Sequence, residues 1–117
     1  MRFDKRMTDL NALFKFTYGL YVVGVKDGEK FGGCVVDAVM QTTVEPPTLV
    51  LCCGKKTRTR ELLLENKAFS LSVLPDDVDT EIIKNFGFQS ARTADKWAAV
   101  KHRLRNGLPV LDDAAAW

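Results

Sequence analysis

Histidine is nearly absent from this chain: His102 is the only one among 117 residues. A lone imidazole with no visible partner motif builds no Ser-His or Cys-His triad, and a surface role is expected for it. The three cysteines are too few for a disulfide framework. Two of them, Cys52 and Cys53, are adjacent, so the C-x-x-C spacing of a zinc or rubredoxin-type site is missing as well. A small buried apolar role suits such cysteines better than a redox one. No apolar run approaches the roughly 20 residues of a membrane helix. The opening MRFDKRMTDL has no apolar stretch after its charges and does not read as a secretion signal. Net charge is only +2, which argues against a nucleic-acid partner. There is no repeat, linker or low-complexity segment. One domain spanning residues 1–117, in a reducing cytoplasm, is the expectation.

What is present is organised around Gly33 to Leu64. Gly33 to Val39 is rich in β-branched and small residues, the end of a strand that starts near Lys30. Glu45-Pro46-Pro47 breaks any ladder, because proline lacks the N–H and fixes φ. Thr48 to Cys53 is a second apolar run. Lys55, Lys56, Arg58 and Arg60, with the hydroxyls of Thr57 and Thr59, then precede Leu62-Leu63-Leu64. A helix over Arg58 to Asn66 would aim its free N–H groups and positive dipole end at whatever that loop holds.

Upstream, Met7, Leu10, Leu13 and Phe14 fall at helical spacing, with Thr8 or Asp9 as caps. Thr17 to Lys26 reads as a strand apolar on both faces, hence covered on both. Asp27-Gly28 is a hairpin signal, and Gly32-Gly33 permits a bulge or a close approach. Downstream, Ala68 to Leu74 alternates, with Phe69, Leu71 and Val73 expected inward and Ser70 and Ser72 outward. Pro75-Asp76-Asp77 opens a helix with Val78, Ile82, Ile83 and Phe86 on one side, stopped by Gly87. Phe88 to Lys96 is expected to be a polar loop or short helix. Beyond Ala99 only a turn at Asn106-Gly107 and an apolar run from Leu108 to Leu111 stand out. The count is four strands and three short helices, and four strands cannot close a barrel.

The basic loop has two readings that spacing alone does not separate. One is a phosphate site, the other a solvated helix start capped by a Thr. It is not a P-loop, since Leu49 stands where the motif needs its first Gly. Val39 and Met40, on pattern alone, read as ordinary strand core.

The segments LFKFTYGLYVVGVKDGEKFGGCVVDAVMQTTVEPP, KKTRTREL, AFSLSVLPDD and IIKNFGFQSARTADKW together resemble the flavin reductase-like family, the FMN-binding split β-barrel. The resemblance is nearest the branch that holds flavoredoxin and the flavin domain of high-molecular-weight rubredoxin, and it covers most of residues 12–97. It implies an all-β fold with short helices, a Greek-key split barrel, and a homodimer with FMN near its interface. It implies that Asp37, Ala38, Val39, Met40, Gln41 and Thr42 carry the flavin ring through backbone groups. Lys55 and Thr59 match the family's phosphate positions, with Cys53, Gly54, Thr57 and Arg58 beside them. Ser90, Arg92 and Lys96 match a segment that approaches the flavin phosphate or the nicotinamide, although a plain exposed loop fits them nearly as well. Asp37 departs from the pattern, which has a neutral residue there.

The resemblance implies an FMN-dependent oxidoreductase that passes electrons from NAD(P)H through FMN to a protein or small-molecule acceptor, with a rubredoxin-type protein as one such partner. The rivals are a non-enzymatic FMN electron carrier and a remnant that binds no flavin. The family continues past the position of Trp117 with further strands. An incomplete barrel, with an uncapped aromatic end at Trp117, is therefore expected.

Overall fold

In a computed structural model of the chain, residues 9–117 are described. Met7 and Thr8, expected in the first helix, lie outside the described residues. The first described element is a 3₁₀ segment, Leu10–Lys15, rather than an α-helix. Asp9 caps it by accepting the Asn11 N–H at 3.0 Å. None of its residues is buried, so the helical spacing of Leu10, Leu13 and Phe14 serves no core.

The strand expected from Thr17 starts only at Tyr21. β1 (Tyr21–Asp27) turns at Gly28 into β2 (Lys30–Val36), an antiparallel pair in register from Tyr21 opposite Val36 to Asp27 opposite Lys30. β1 is the middle strand of a three-stranded sheet. Val22, Val23 and Val25 are fully buried, in line with the two-sided apolar reading of this stretch. The strand expected to run through Val39 breaks at Asp37-Ala38. β3 (Val39–Thr43) then pairs with β4 (Thr48–Leu51) in a separate hairpin around the double proline. Val39 and Met40 are not core: β3 is exposed beyond Val39, and Met40 is 63% exposed.

α1 (Arg58–Asn66) has the expected bounds and ends at Lys67 in the left-handed conformation. β5 (Ser70–Val73) completes the first sheet beside β1, but its faces are the reverse of the expected ones. Ser72 is fully buried, while Phe69 is 38% exposed. The reason is local hydrogen bonding. Ser72 Oγ accepts the Leu111 N–H at 3.1 Å, and Ser70 Oγ donates to the Pro109 carbonyl, so each serine satisfies a backbone group of the strand laid over it. α2 (Thr80–Gly87) is capped by Asp79 and turns Phe86 into the core, with Val78, Ile82 and Ile83 packed beside it.

The stretch after Ala99 holds a hairpin that the sequence reading missed. β6 (His102–Arg105) and β7 (Leu108–Leu111) flank Asn106 and Gly107, both at positive φ (52° and 80°), the backbone of a tight two-residue turn. The described residues thus hold seven strands, not four, in three sheets that do not close on one another. Nor is the end uncapped. Residues 115 and 116 pair with Val73 at the outer edge of β5, and the Trp117 ring lies 4.4 Å from the Arg105 guanidinium carbon.

The core joins Val22, Leu74, Phe86, Trp97 and Leu111, with Phe86 and Trp97 edge to face at 4.8 Å between ring centres. Trp97, in a short 3₁₀ turn, donates its indole N–H to the Gly32 carbonyl at 2.9 Å. At Gly33, with φ of 155°, a Cβ would stand 2.0 Å from the Val23 carbonyl oxygen, so only glycine fits. Replacing Trp97 by Ala removes a large core ring and that hydrogen bond. A loss of about 3–5 kcal/mol of unfolding free energy is expected in urea titrations. Leu104→Ala, on the exposed hairpin, should stay within about 0.5 kcal/mol. Equal losses for the two variants would contradict this placement of the core.

Candidate functional site

The end of β2, the loop before α1 and the end of α2 meet around a cavity of about 420 Å³. That lies in the size range of small-molecule and cofactor sites. Six of the expected residues line it: Asp37, Gly54, Thr57, Arg58, Thr59 and Ser90. Cys34, Val35, Val36, Cys52, Lys56, Phe86, Gly87, Gln89 and Ala91 also line it and were not among the residues assigned to the cofactor, and so does Lys96, which the resemblance placed near the flavin phosphate or the nicotinamide. Lys55, Cys53 and Arg92 adjoin it without lining it. Ala38 instead shares a separate, open apolar groove with Asp37 and the Leu10–Tyr18 stretch. Val39, Met40, Gln41 and Thr42 are not brought to the cavity. They lie on the projecting β3–β4 hairpin, where Thr42 and Thr48 hydrogen-bond through their hydroxyls at 2.6 Å.

The N-terminus of α1 forms one wall. Thr57 is its cap, accepting the Arg60 N–H at 3.2 Å and donating to the Gly54 carbonyl at 2.8 Å. The bland reading of that threonine is therefore right about its hydroxyl. Thr57, Arg58 and Thr59 at the start of the helix line the cavity, with Lys56 just before them, so the positive end of the helix dipole borders that space. Thr59, in the first turn of α1, is buried. Burial pushes the Cys34 thiol up to about 11, against the lowering effect of Thr59.

The opposite wall carries Lys96, which the sequence places in a polar loop and the structure buries to 3% exposure. Its ammonium donates to the Gly33 carbonyl at 2.8 Å and to the Phe86 carbonyl at 2.9 Å, tying β2 to the last turn of α2. Burial holds its pKa below the usual lysine value, with the nearby Cys34 acting the other way. The missed signal was position. A lysine directly before a core tryptophan and ten residues after a core phenylalanine has two apolar anchors to follow inward, but nothing in its own local pattern marks it.

At the rim, Arg58 donates to Asp27 and to Glu61, both at 3.0 Å. Arg92 holds Glu61 from the other side through both of its terminal nitrogens. Of the four loop cations, Arg58 is thus already paired. The bidentate contact with Arg92, and then Arg58, keeps the Glu61 carboxyl down at about 2.

This set of sheets, helices and walls is a known one. A family model described as flavin reductase like domain matches residues 13–117. The FMN-binding protein of Thermus thermophilus, solved with bound 1-cyclohex-2-enone, superposes with a TM-score of 0.80 at 28% identity, over 97% of this chain and 64% of that one. The fold is the split barrel. The chain belongs to the flavin reductase-like domain family. It is 40% identical to the high molecular weight rubredoxin of Moorella thermoacetica over 106 residues, 90% of this chain and 46% of that protein. It is 30% identical to the NAD(P)H ferric-chelate reductase of Archaeoglobus fulgidus, over 92% of this chain and 64% of that protein. The chain therefore spans about half to two thirds of the length of these curated relatives.

The Glu61 pairing carries a pH signature. A carboxyl whose folded pKa is depressed adds stability above its unfolded pKa, near 4.5, and loses that stability as pH falls towards 2. Urea midpoints of the natural chain and Glu61→Gln should differ by a constant amount above about pH 5.5, and the gap should close on acidification towards pH 2. A gap that widens on acidification would contradict the assignment.

Proposed function

We propose that the cavity holds FMN and that the chain is the flavin-binding part of an oxidoreductase that takes electrons from NAD(P)H and delivers them to a protein or small-molecule acceptor. The observation that carries this is the meeting of a capped helix N-terminus, two cationic side chains and a run of strand-end backbone around one space. An anionic phosphate needs the first two, and the edge of a flavin ring needs the last. Similarity to an FMN-binding protein and to an NAD(P)H ferric-chelate reductase supports the same reading.

The residues divide by chemistry. Lys56, Arg58 and the α1 N–H groups take the phosphate, with Thr59 behind them and Lys55, Cys53 and Gly54 shaping the loop. Ser90 faces them across the cavity, and Arg92 is in reach once released from Glu61. The backbone at Asp37 serves the ring, together with the apolar walls of Val35 and Phe86, and Val39 to Thr42 reach it only from a second copy. Bound FMN supplies the centre that accepts and passes on electrons. The chain's own part is to orient that ring, exclude water from it and balance its negative charge with cations and backbone donors. Because Lys56 lines the cavity, Lys56→Ala should weaken FMN about tenfold, one charge-assisted hydrogen bond. Riboflavin, which lacks the phosphate, should be unaffected. Equal weakening of the two ligands in a fluorescence titration would remove the phosphate assignment. Steady NAD(P)H oxidation by the FMN-loaded protein separates the oxidoreductase from a bare electron carrier.

A second copy of the chain completes the proposal. Phe14 (86% exposed), Phe16 (64%), Met40 (63%) and Val44 (80%) lie open on the 3₁₀ segment, its flank and the β3–β4 hairpin. Asp37 lines both the cavity and the apolar groove that holds Phe14 and Phe16. Burying such a surface is worth about 25 cal/mol per Å², and a homodimer would bring Val39 to Thr42 against the ring. Sedimentation at micromolar concentration should report twice the 13.1 kDa chain mass. A folded monomer would contradict it.

A further inference from the structure

Lys96 is the one buried charged side chain among the described residues, and nothing in the reading above uses its charge. The residue is pinned at both ends. Its backbone carbonyl accepts the Asn85 side-chain amide at 2.7 Å, and Asn85 in turn accepts the Gln89 amide at 2.6 Å. Its ammonium is held by the Gly33 and Phe86 carbonyls, and the residue lines the cavity. What the ammonium lacks is a carboxylate. Among the described residues it enters no salt bridge, and both of its partners are neutral. The end of α2 offsets only about half an elementary charge. Burial disfavours the charged form, and an enclosed ammonium without an opposite charge is costly. The other cations beside the cavity are placed differently. Arg58 and Arg92 are balanced by Asp27 and Glu61, so that network is neutral. Lys56 is exposed, so water and salt screen it. Lys96 is left as the unbalanced and unscreened positive charge of the cavity wall.

We propose that the ligand supplies the missing counter-charge: Lys96 sets a fixed positive charge against the bound flavin and thereby raises its reduction potential. This rests on the flavin reading above. Taking a hydride from NAD(P)H, which leaves oxidised as NAD(P)+, turns a neutral oxidised ring into an anion, so charge and electrons balance. A cation already held in place and shut from water stabilises that anion with no reorganisation. The neutral oxidised ring gains far less from it. The phosphate carries the same charge in both states, so its contacts cancel from the difference.

The test is the two-electron midpoint potential of FMN bound to the full chain, read by equilibration with a reference dye. Lys96→Met removes the charge and keeps the length. Its affinity for reduced FMN should fall about tenfold relative to its affinity for oxidised FMN, which is about 30 mV in potential. Lys96→Gln, which keeps an amide donor for a carbonyl, should show the same fall, and Lys96→Arg should restore most of it. A merely structural lysine would weaken both oxidation states together and leave the potential in place. The natural chain gives a measurement that needs no variant to fold. Its bound potential should hold steady from about 0.02 to about 0.5 M salt, because a buried charge is little screened, whereas Lys56 would be. An unchanged potential in Met and Gln variants that bind FMN, or a natural-chain potential that falls as salt is added, would overturn the proposal alone. A natural chain that binds FMN in neither oxidation state would overturn the flavin reading, and the proposal with it.

Discussion

Two consecutive carbonyls on β2 hold this structure together. The Gly32 oxygen takes the Trp97 indole N–H and the Gly33 oxygen takes the Lys96 ammonium. Through them the segment after α2 is pulled onto the central sheet, and Trp97 fills the core against Phe86. The approach is close because there is no side chain in the way. A Cβ at Gly33 would collide with the Val23 carbonyl, and one at Gly32 would come within 2.7 Å of Leu62. The same lysine also satisfies the Phe86 carbonyl in the last turn of α2, where a cation is favoured. Without that neutralisation, a helix end would turn its negative pole towards the cavity.

The cavity follows from this tie. Its two walls are the start of one helix and the end of another, so their dipoles present opposite ends to the same space. α1 offers N–H groups with Lys56 and Arg58, which favour an anion. α2 offers carbonyls, which Lys96 covers. The rim network of Asp27, Arg58, Glu61 and Arg92 holds guanidinium groups in place between helix and loop. The mildly basic net charge is thus less informative than its distribution: cations gather where one helix begins, and a buried cation sits where the other ends.

The elements that the sequence made legible are those whose signal is local. α1 was legible from the basic, threonine-bearing loop and the leucine run, β1–β2 from Asp27-Gly28 and the valines, and α2 from its apolar side, although it starts at Thr80 and not at Pro75-Asp76-Asp77. The family resemblance, carried by long motif-bearing segments, identified the fold that superposition on solved relatives then showed. Features set by distant partners were not legible. Ser72 is buried because Leu111 needs an acceptor, which reverses the simple alternation of β5. β6 and β7 are four residues each, with arginines on one and a proline in the other, so their pairing rests on the Asn106-Gly107 turn. Lys96 is buried by contacts 10 and 63 residues away in the chain. Six of the expected site residues line the cavity, all from Asp37 and the segments around α1 and Ser90. Val39 to Thr42 do not, because the break at Asp37-Ala38 sends them into a separate hairpin.

The central claim is that a phosphate-bearing flavin sits with its phosphate at the start of α1. Phosphorus-31 NMR of FMN mixed with the full chain reads that phosphate directly. In free solution its resonance titrates with a pKa of about 6. Held by Lys56, Arg58 and the helix N–H groups, it should shift, broaden and stop titrating across that range. A signal that keeps the position and titration of free FMN, at protein concentrations where the flavin ring is bound, would contradict the account.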